Sequence, residues 1–165
     1  MFNRSLNRVN ERLNRTLARN RLLQNIVTKL RRELQVNRVV AYYFYRPWKG
    51  QVIVESLSHD DFSILGSTGA DDCFNDNYAN LYLGGRVLRV EDIELTNFDE
   101  CHLDFLRSIR VRADLVAPII VKERLWGLLV AHHSEPRAWS DLDVERIQSQ
   151  SVIFAQAPSL IQGKK

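Results

Sequence analysis

The sequence predicts an α/β fold of the α+β type, with a central, mainly antiparallel sheet and the N- and C-terminal helices packed on one face. Three observations favour this fold. Residues 36–57 and 111–133 each contain two strand-like runs around a short turn, the pattern of a β-hairpin. An amphipathic helical pattern precedes the first hairpin, and another follows the second. Hairpins build antiparallel sheets, against which one-sided helices bury their apolar stripes.

The opening helix is predicted over residues 3–35. No Gly or Pro occurs before Pro47, and apolar residues recur every three or four positions, with a break expected at Arg19-Asn20. The stripe is narrow and the other faces carry Arg and Asn, so the helix is expected to pack on its own domain or on a partner helix. The stripe consists of Leu6, Val9, Leu13, Leu17, Leu23, Ile26, Leu30 and Leu34.

The two hairpins differ in composition. The first pairs residues 36–45, rich in β-branched and aromatic side chains, with residues 51–57. The second pairs two strongly apolar runs, 111–121 and 125–133, across the tight polar turn Lys122-Glu123-Arg124. Together they predict four strands of one sheet.

The middle of the chain is irregular and too long for a simple connection. Segments of this kind usually cover a ligand or an active site, and both cysteines lie in it. Its predicted parts, and the helix that closes the chain, are a loop over 58–72, a short helix over Asp76–Leu83 ended by Gly84-Gly85, a brief strand over Arg86–Val90, a helix over Asn97–Ile109 with Asn97 or Asp99 as N-cap, and a last helix that Ser140 caps together with Asp143.

Composition limits the classes of function. The length of 165 residues suits one domain, and no apolar run approaches the roughly 18 residues of a membrane span. The first residues lack a signal-peptide core, so a cytoplasmic location is expected. Residues 1–35 carry eight Arg, one Lys and two Glu, a net +7 within a total of +3. Because these charges alternate with apolar positions, we interpret them as a solvated helix face rather than a nucleic-acid site.

Several interpretations are open for the reactive side chains of the sequence, which are Cys73, the Cys101-His102 pair and the His132-His133 pair. Zinc is one, although the close ligand pairs typical of zinc sites are missing. A nucleophilic cysteine enzyme is another, without a family signature to support it. The residues could also be ordinary buried cysteines and histidines. The fourth interpretation is covalent capture of a ligand.

The fourth interpretation gains from a family resemblance over nearly the whole chain. The run CHLDFLRSIRVRADLVAPIIVKERLWGLLVAHHSEPR, from Cys101 to Arg137, resembles the chromophore-binding segment of the phytochrome superfamily. Residues 84–87 with 91–93 resemble the GRV…DI segment of the same family, and the N-terminal half resembles a GAF domain. Asp71-Asp72-Cys73-Phe74 is similar to the DXCF motif of cyanobacteriochromes.

The resemblance implies a role for each matching residue. Cys101 would anchor a linear tetrapyrrole (bilin) through a thioether, and Cys73 would add reversibly to its central methine bridge. Asp71 would accept hydrogen bonds from the pyrrole N–H groups. His102 and His132 would contact the bilin, His132 near ring D; His133 points the opposite way on a regular strand.

The resemblance also implies roles for the remaining site residues, since Arg86 matches the arginine of the GRV segment and Arg112 lies in the VRA segment. Arg86 and Arg112 would pair with the bilin propionates, although either could instead form a surface ion pair. Phe74, Tyr78 and Tyr82 would line the cavity or belong to the ordinary core. Tyr78 and Tyr82 are four residues apart on a predicted helix and therefore share a face.

This resemblance implies that the chain is a photoreceptor module that binds phycocyanobilin or phycoviolobilin. It also implies that the chain has no enzyme activity other than attaching and isomerising its own chromophore. Residues 1–35 would be a signalling or dimer helix, 36–160 the bilin-binding domain and 161–165 a tail. The terminal helices would connect to output domains of a histidine kinase or chemotaxis-type receptor and could form a homodimer. Two alternatives stay open: a GAF module for a small ligand such as a cyclic nucleotide, and a two-cysteine redox sensor.

Overall fold

The computed structural model describes residues 2–68 and 74–157, with the backbone alone for Phe2. Apolar periodicity and turn residues set the order of the elements along the chain. These are α1 (Phe2–Leu34), β1 (Arg38–Arg46), β2 (Lys49–Leu57), a 3-10 turn (Asp60–Phe62), α2 (Asp76–Leu83), β3 (Leu88–Val90), a second 3-10 turn (Ile93–Leu95), α3 (Glu100–Ser108), β4 (Ala113–Val121), β5 (Arg124–His133) and α4 (Asp141–Ala155).

The strands form one antiparallel sheet in the order β2-β1-β5-β4-β3, which confirms the predicted fold class. The two hairpins lie side by side because β1 pairs with β5, from Arg38 opposite His132 to Tyr43 opposite Gly127. Gly127 is required there, since a Cβ at this position would collide with the backbone carbonyl of Tyr42. The short strand β3 extends the sheet beyond β4.

Alternation along the strands separates the two faces of the sheet. Odd-numbered strand residues such as Leu115 and Leu129 pack in one core with Leu30 of α1 and with Ile147 and Phe154 of α4. Even-numbered residues face the other side, where α2 covers them. This second cluster includes Val40, Tyr42, Phe44, Val116, Leu128, Val130, Ala79 and Tyr82. The helices at the two ends of the chain therefore share one face, as predicted.

Several element boundaries differ from the prediction. α1 continues through Arg19-Asn20 without a break. Its apolar stripe is buried only from Leu23 onward, and the earlier members of the stripe are exposed. α3 begins at Glu100, because the Asp99 carboxylate accepts a hydrogen bond from the backbone N–H of His102 and so caps the helix. None of the helices within 2–68 and 74–157 combines the length and apolar content that a membrane crossing requires.

Candidate functional site

A deep pocket lies on the face of the sheet opposite α1 and α4. The empty space in and in front of it amounts to about 830 Å³, which includes open solvent. Its floor comes from even-numbered residues of β1, β2, β4 and β5, and its walls come from α2, α3 and the segments beside them. The lining residues are Val40, Tyr42, Val52, Ile64, Ser67, Phe74, Tyr78, Tyr82, Leu88, Phe98, His102, Phe105, Leu106, Ile109, Asp114, Val116, Leu128, Val130 and His132.

Aromatic side chains form one wall of this pocket. Phe74, just before α2, stacks on Tyr82 with ring centroids 6.3 Å apart, and Tyr78 stacks on His102 at 6.2 Å. The predicted face of the helix is confirmed, because Tyr78 and Tyr82 both line the pocket. Tyr82 is also buried in the core, and this burial raises the pKa of its hydroxyl. A flat aromatic wall suits a flat conjugated ligand.

The Cys101-His102 pair lies in the first turn of α3. Cys101 is on the exposed side, and His102 is half-buried and lines the pocket. Burial lowers the pKa of His102, although nearby Asp99 opposes this effect. Cys101 is disulfide-bonded in the structure, so its sulfur would have to be reduced before it could react with a ligand. The predicted residues Asp71 and Cys73 lie outside the described residues.

His132 lies on the pocket side of β5 and His133 does not line the pocket, in agreement with the alternation argument. The sequence analysis missed two polar residues beside it. Asp114 of β4 is buried, with its Oδ1 atom 3.5 Å from His132 Nε2. Arg38 of β1 is also buried, and its Nε donates a hydrogen bond to His132 Nδ1 at 3.1 Å. The sequence did contain a signal for them, since each is a charged residue in a mainly apolar strand.

The two arginines predicted for the propionates lie outside the pocket lining. Arg86 is half-buried, with its guanidinium carbon 5.5 Å from the centre of the Tyr82 ring, a cation–π contact at the pocket wall. Arg112 instead forms a bidentate ion pair with Asp92, at 3.1 and 2.9 Å. The hydrogen bond from Arg112 lowers the pKa of the Asp92 carboxyl. Arg86 therefore contacts a pocket-lining residue, whereas the side chain of Arg112 is held by Asp92.

The zinc interpretation finds no support in the described part of the chain. No group of three His, Cys, Asp or Glu side chains comes together there in a way that could hold a metal ion. The polar groups of the pocket are instead spread around an apolar volume. Two of them, Tyr42 Oη and Asp114 Oδ1, are buried without a hydrogen-bond partner in the part of the chain that the structure describes. Buried polar atoms nearly always have partners, so these two atoms are places where a bound molecule could form hydrogen bonds.

Comparison with solved structures identifies similar folds. The chain resembles the cyanobacteriochrome receptor PixJ, solved in the dark and under steady illumination, with a TM-score of 0.80 and 30% identity over 90% of this chain and 98% of that chain. The blue-light absorbing form of the Thermosynechococcus elongatus PixJ GAF domain gives 0.77 and 32%, over 87% and 88%. The phycocyanobilin-bound GAF domain of a cyanobacterial phytochrome gives 0.74 and 28%, over 92% of each chain.

Sequence comparisons agree with the structural ones. The profile of the GAF domain family matches residues 18–157. An uncharacterised protein of Picosynechococcus sp. is 68% identical over 94% of this chain and 96% of its own length. A Synechocystis sp. protein assigned as a methyl-accepting chemotaxis protein is 41% identical over 71% of this chain, and the circadian input-output histidine kinase of Synechocystis sp. is 34% identical over 82%. The chain spans only 12% and 21% of these two longer receptors.

Proposed function

Because the chain belongs to the GAF domain family, we propose that it is a light-sensing module of the two-cysteine cyanobacteriochrome type, which holds a linear tetrapyrrole covalently. Its structural relatives include GAF domains with bound phycocyanobilin and phycoerythrobilin, which supports a photoreceptor role. GAF sensor domains are generally not enzymes, so the only chemistry proposed for this chain is attachment, and isomerisation, of its own pigment.

The observation that carries this proposal is the pocket itself. It is lined mainly by apolar and aromatic side chains with a few polar groups among them, the composition that is typical of small-molecule sites. Its aromatic wall suits stacking on conjugated rings. Tyr42 Oη and Asp114 Oδ1, which have no hydrogen-bond partner among the described residues, can bond to polar groups of a ligand, and a bilin has pyrrole N–H groups and lactam carbonyls. The residues present therefore fit a bilin.

Cys101 is proposed to form the permanent bond. After a cellular thiol has reduced the disulfide at Cys101 by exchange, the Cys101 thiolate would add to an electrophilic side-chain double bond of ring A: a sulfur–carbon bond forms, the carbon–carbon π bond breaks, and the neighbouring carbon takes up a proton. The position supports this role, because Cys101 directly precedes the pocket-lining His102, and the first turn of a helix favours an anion. Binding in the pocket would hold the two reactants together, so no separate enzyme is needed.

Colour switching is proposed to depend on the second cysteine. The bilin supplies the light reaction, a Z/E isomerisation between rings C and D. In the blue-absorbing state the Cys73 sulfur would be bonded to the methine carbon between rings B and C, with a π bond of the bilin broken and the thiol proton moved to a ring nitrogen. In the green-to-teal state the sulfur–carbon bond would be broken, the π bond restored and the proton returned to the thiol. Asp71 would accept hydrogen bonds from the pyrrole N–H groups. His102 and His132 would contact the pigment. Arg86 and Arg112 would pair with its propionates, and Arg112 would first have to break its ion pair with Asp92.

The module is proposed to pass its signal to other domains. Its receptor relatives, a chemotaxis-type protein and a histidine kinase, are much longer than this chain. α1 supports such a role because its first half extends an exposed apolar stripe beyond the core, formed by Leu6, Val9, Leu13 and Leu17. An exposed stripe at helical spacing could contact an output domain or the same helix of a second copy.

The experiment is production of the chain in cells that make phycocyanobilin, followed by reduction, a denaturing gel and zinc-enhanced fluorescence. We compare wild type with Cys101→Ala and with Ser108→Ala, a control at the exposed end of the same helix. Wild type and Ser108→Ala should fluoresce, and Cys101→Ala should lose most of the signal. A fully fluorescent Cys101→Ala band would contradict the role of Cys101, and a dark wild-type band would contradict covalent binding.

A redox sensor is the second candidate, and the disulfide at Cys101 is the observation that favours it. It predicts that mild oxidation and reduction change the labelling of Cys101 by a thiol reagent. It also predicts that reduced protein stays colourless when bilin is supplied. Pigmented, covalently labelled protein in the gel assay would exclude redox sensing as the sole function.

A further inference from the structure

A polar row crosses three neighbouring strands on the pocket face. Arg38 of β1 lies opposite His132 of β5, and His132 lies opposite Asp114 of β4. All three side chains are buried, and His132 and Asp114 line the pocket. Since strand register sets the row, its members are held in place by the sheet rather than by a loop.

Arg38 determines the tautomer of His132. Its Nε–H donates to His132 Nδ1 at 3.1 Å, and an imidazole nitrogen that accepts a hydrogen bond carries no proton. Burial lowers the pKa of His132 well below its ordinary value, so the ring is neutral with its proton on Nε2. The other guanidinium nitrogens of Arg38 donate to the backbone oxygens of Phe62 at 2.7 Å and Ile109 at 2.8 Å. These three hydrogen bonds direct the donors of Arg38 to acceptors other than Asp114.

Asp114 is left with unused hydrogen-bonding capacity. Its Oδ1 atom is buried and has no hydrogen-bond partner among the described residues. His132 Nε2 lies 3.5 Å away, which is too long for a strong hydrogen bond. A carboxyl group buried in this way calls for a partner, and the volume in front of it is the pocket.

Resting on the bilin site proposed above, we propose that Asp114 contacts the pigment and tunes its colour, with Arg38 and His132 as its positioning residues. When protonated, the carboxyl would donate to a lactam carbonyl; when ionised, it would accept from a pyrrole N–H. A charge that appears or disappears beside a conjugated system changes its absorption. The pigment colour should therefore follow the protonation of Asp114.

The titratable groups around Asp114 also have shifted pKa values. Burial raises the pKa of Asp114 to about 7. Among the described residues, the groups that face it are Arg38 and His132 from the sheet and Tyr82 from α2, with His102 of α3 acting on His132. The pKa of Tyr82 is raised, and the pKa values of His102 and His132 are lowered, so their titrations move in the directions away from that of Asp114.

The test uses two measurements on wild type, Asp114→Asn and Asp60→Asn, an exposed carboxylate outside the pocket lining that serves as the control. The first is the absorption maximum of the bilin-loaded protein at pH 5.5 and 8.5. The second is the infrared carbonyl band of a protonated carboxyl group, titrated with and without bilin, and assigned to Asp114 by its loss in Asp114→Asn. Wild type and Asp60→Asn should change colour with pH, and Asp114→Asn should lose most of the change. Bilin should move the midpoint of the Asp114 band by about one pH unit or more.

The outcomes separate this inference from the proposed function. A coloured protein whose pH response survives in Asp114→Asn, with an unmoved infrared midpoint, overturns the inference and leaves the bilin site standing. A protein without covalent pigment whose midpoint still moves when bilin is added contradicts covalent attachment but supports the contact at Asp114. Colourless protein with an unmoved midpoint overturns both. If Asp114→Asn is too unstable for a spectrum, Asp114→Glu provides the assignment, because a changed side chain at this position should move the frequency of the Asp114 band and of no other.

Discussion

Replacing Asp114 with Asn should stabilise the pigment-free protein, and more at high pH than at low pH. Burial raises the pKa of this carboxyl from 3.8 to about 7, although Arg38 opposes the rise. The unfolded chain releases this proton at a lower pH than the folded protein does. The free energy of unfolding therefore falls as the pH rises from 3.8 to 7. The complete loss is about 4 kcal/mol, and about 2–3 kcal/mol of it falls between pH 5 and pH 8. Asn cannot ionise and should avoid this loss.

Urea unfolding at pH 5 and pH 8 measures the effect. The free-energy gain of Asp114→Asn over wild type should be larger at pH 8 by about 2–3 kcal/mol. The protonation of His132 on unfolding at pH 5 occurs in both proteins and cancels in the comparison. Asp60→Asn, on the exposed 3-10 turn, should show the same small effect at both pH values. A gain from Asp114→Asn that is equal at pH 5 and pH 8 would refute the reasoning.

Three further predictions follow from other parts of the protein. Cys73→Ala should keep its pigment but lose the blue-absorbing state; a light-minus-dark spectrum that still contains a blue band would contradict the two-cysteine switch. Gly127→Ala forces a Cβ against the Tyr42 carbonyl and should lower the free energy of unfolding by about 1–3 kcal/mol. Gly84→Ala should change it much less, because a Cβ there would make only ordinary van der Waals contact with the backbone oxygens of Leu81 and Asn80; equal urea midpoints for the two variants would be contrary evidence. Ser140→Ala removes the acceptor for the Asp143 N–H and should cost about 1 kcal/mol, so an unchanged thermal midpoint would argue against this cap.

Local signals in the sequence determined most of the fold. Asn75, whose side chain accepts from two backbone N–H groups, and Gly84-Gly85 bound α2 at the predicted residues Asp76–Leu83. The tight turn after β4 was also predictable, although Lys122 and Glu123 adopt positive φ angles of 50° and 64° without glycine. Such features depend on residues within a few positions of one another, which a sequence pattern displays directly.

The polar row in the pocket could not be predicted in the same way. Arg38 and His132 are 94 positions apart, and they meet only because β1 pairs with β5 in one register. Arg112 shows the opposite difficulty: its place in a family-like motif suggested a propionate partner, whereas the structure pairs it with Asp92, 20 positions away. Which polar side chain finds which partner depends on the assembled sheet. Asp71 and Cys73 lie outside the described residues, so their roles remain predictions.

The most direct test of the account is the intact mass of the denatured protein after production with phycocyanobilin. The account predicts one added bilin mass on each reduced chain, carried by the peptide that contains Cys101. A chain that keeps its unmodified mass, although bilin is present in the cell, would contradict the central claim that this pocket holds its pigment through a bond to sulfur.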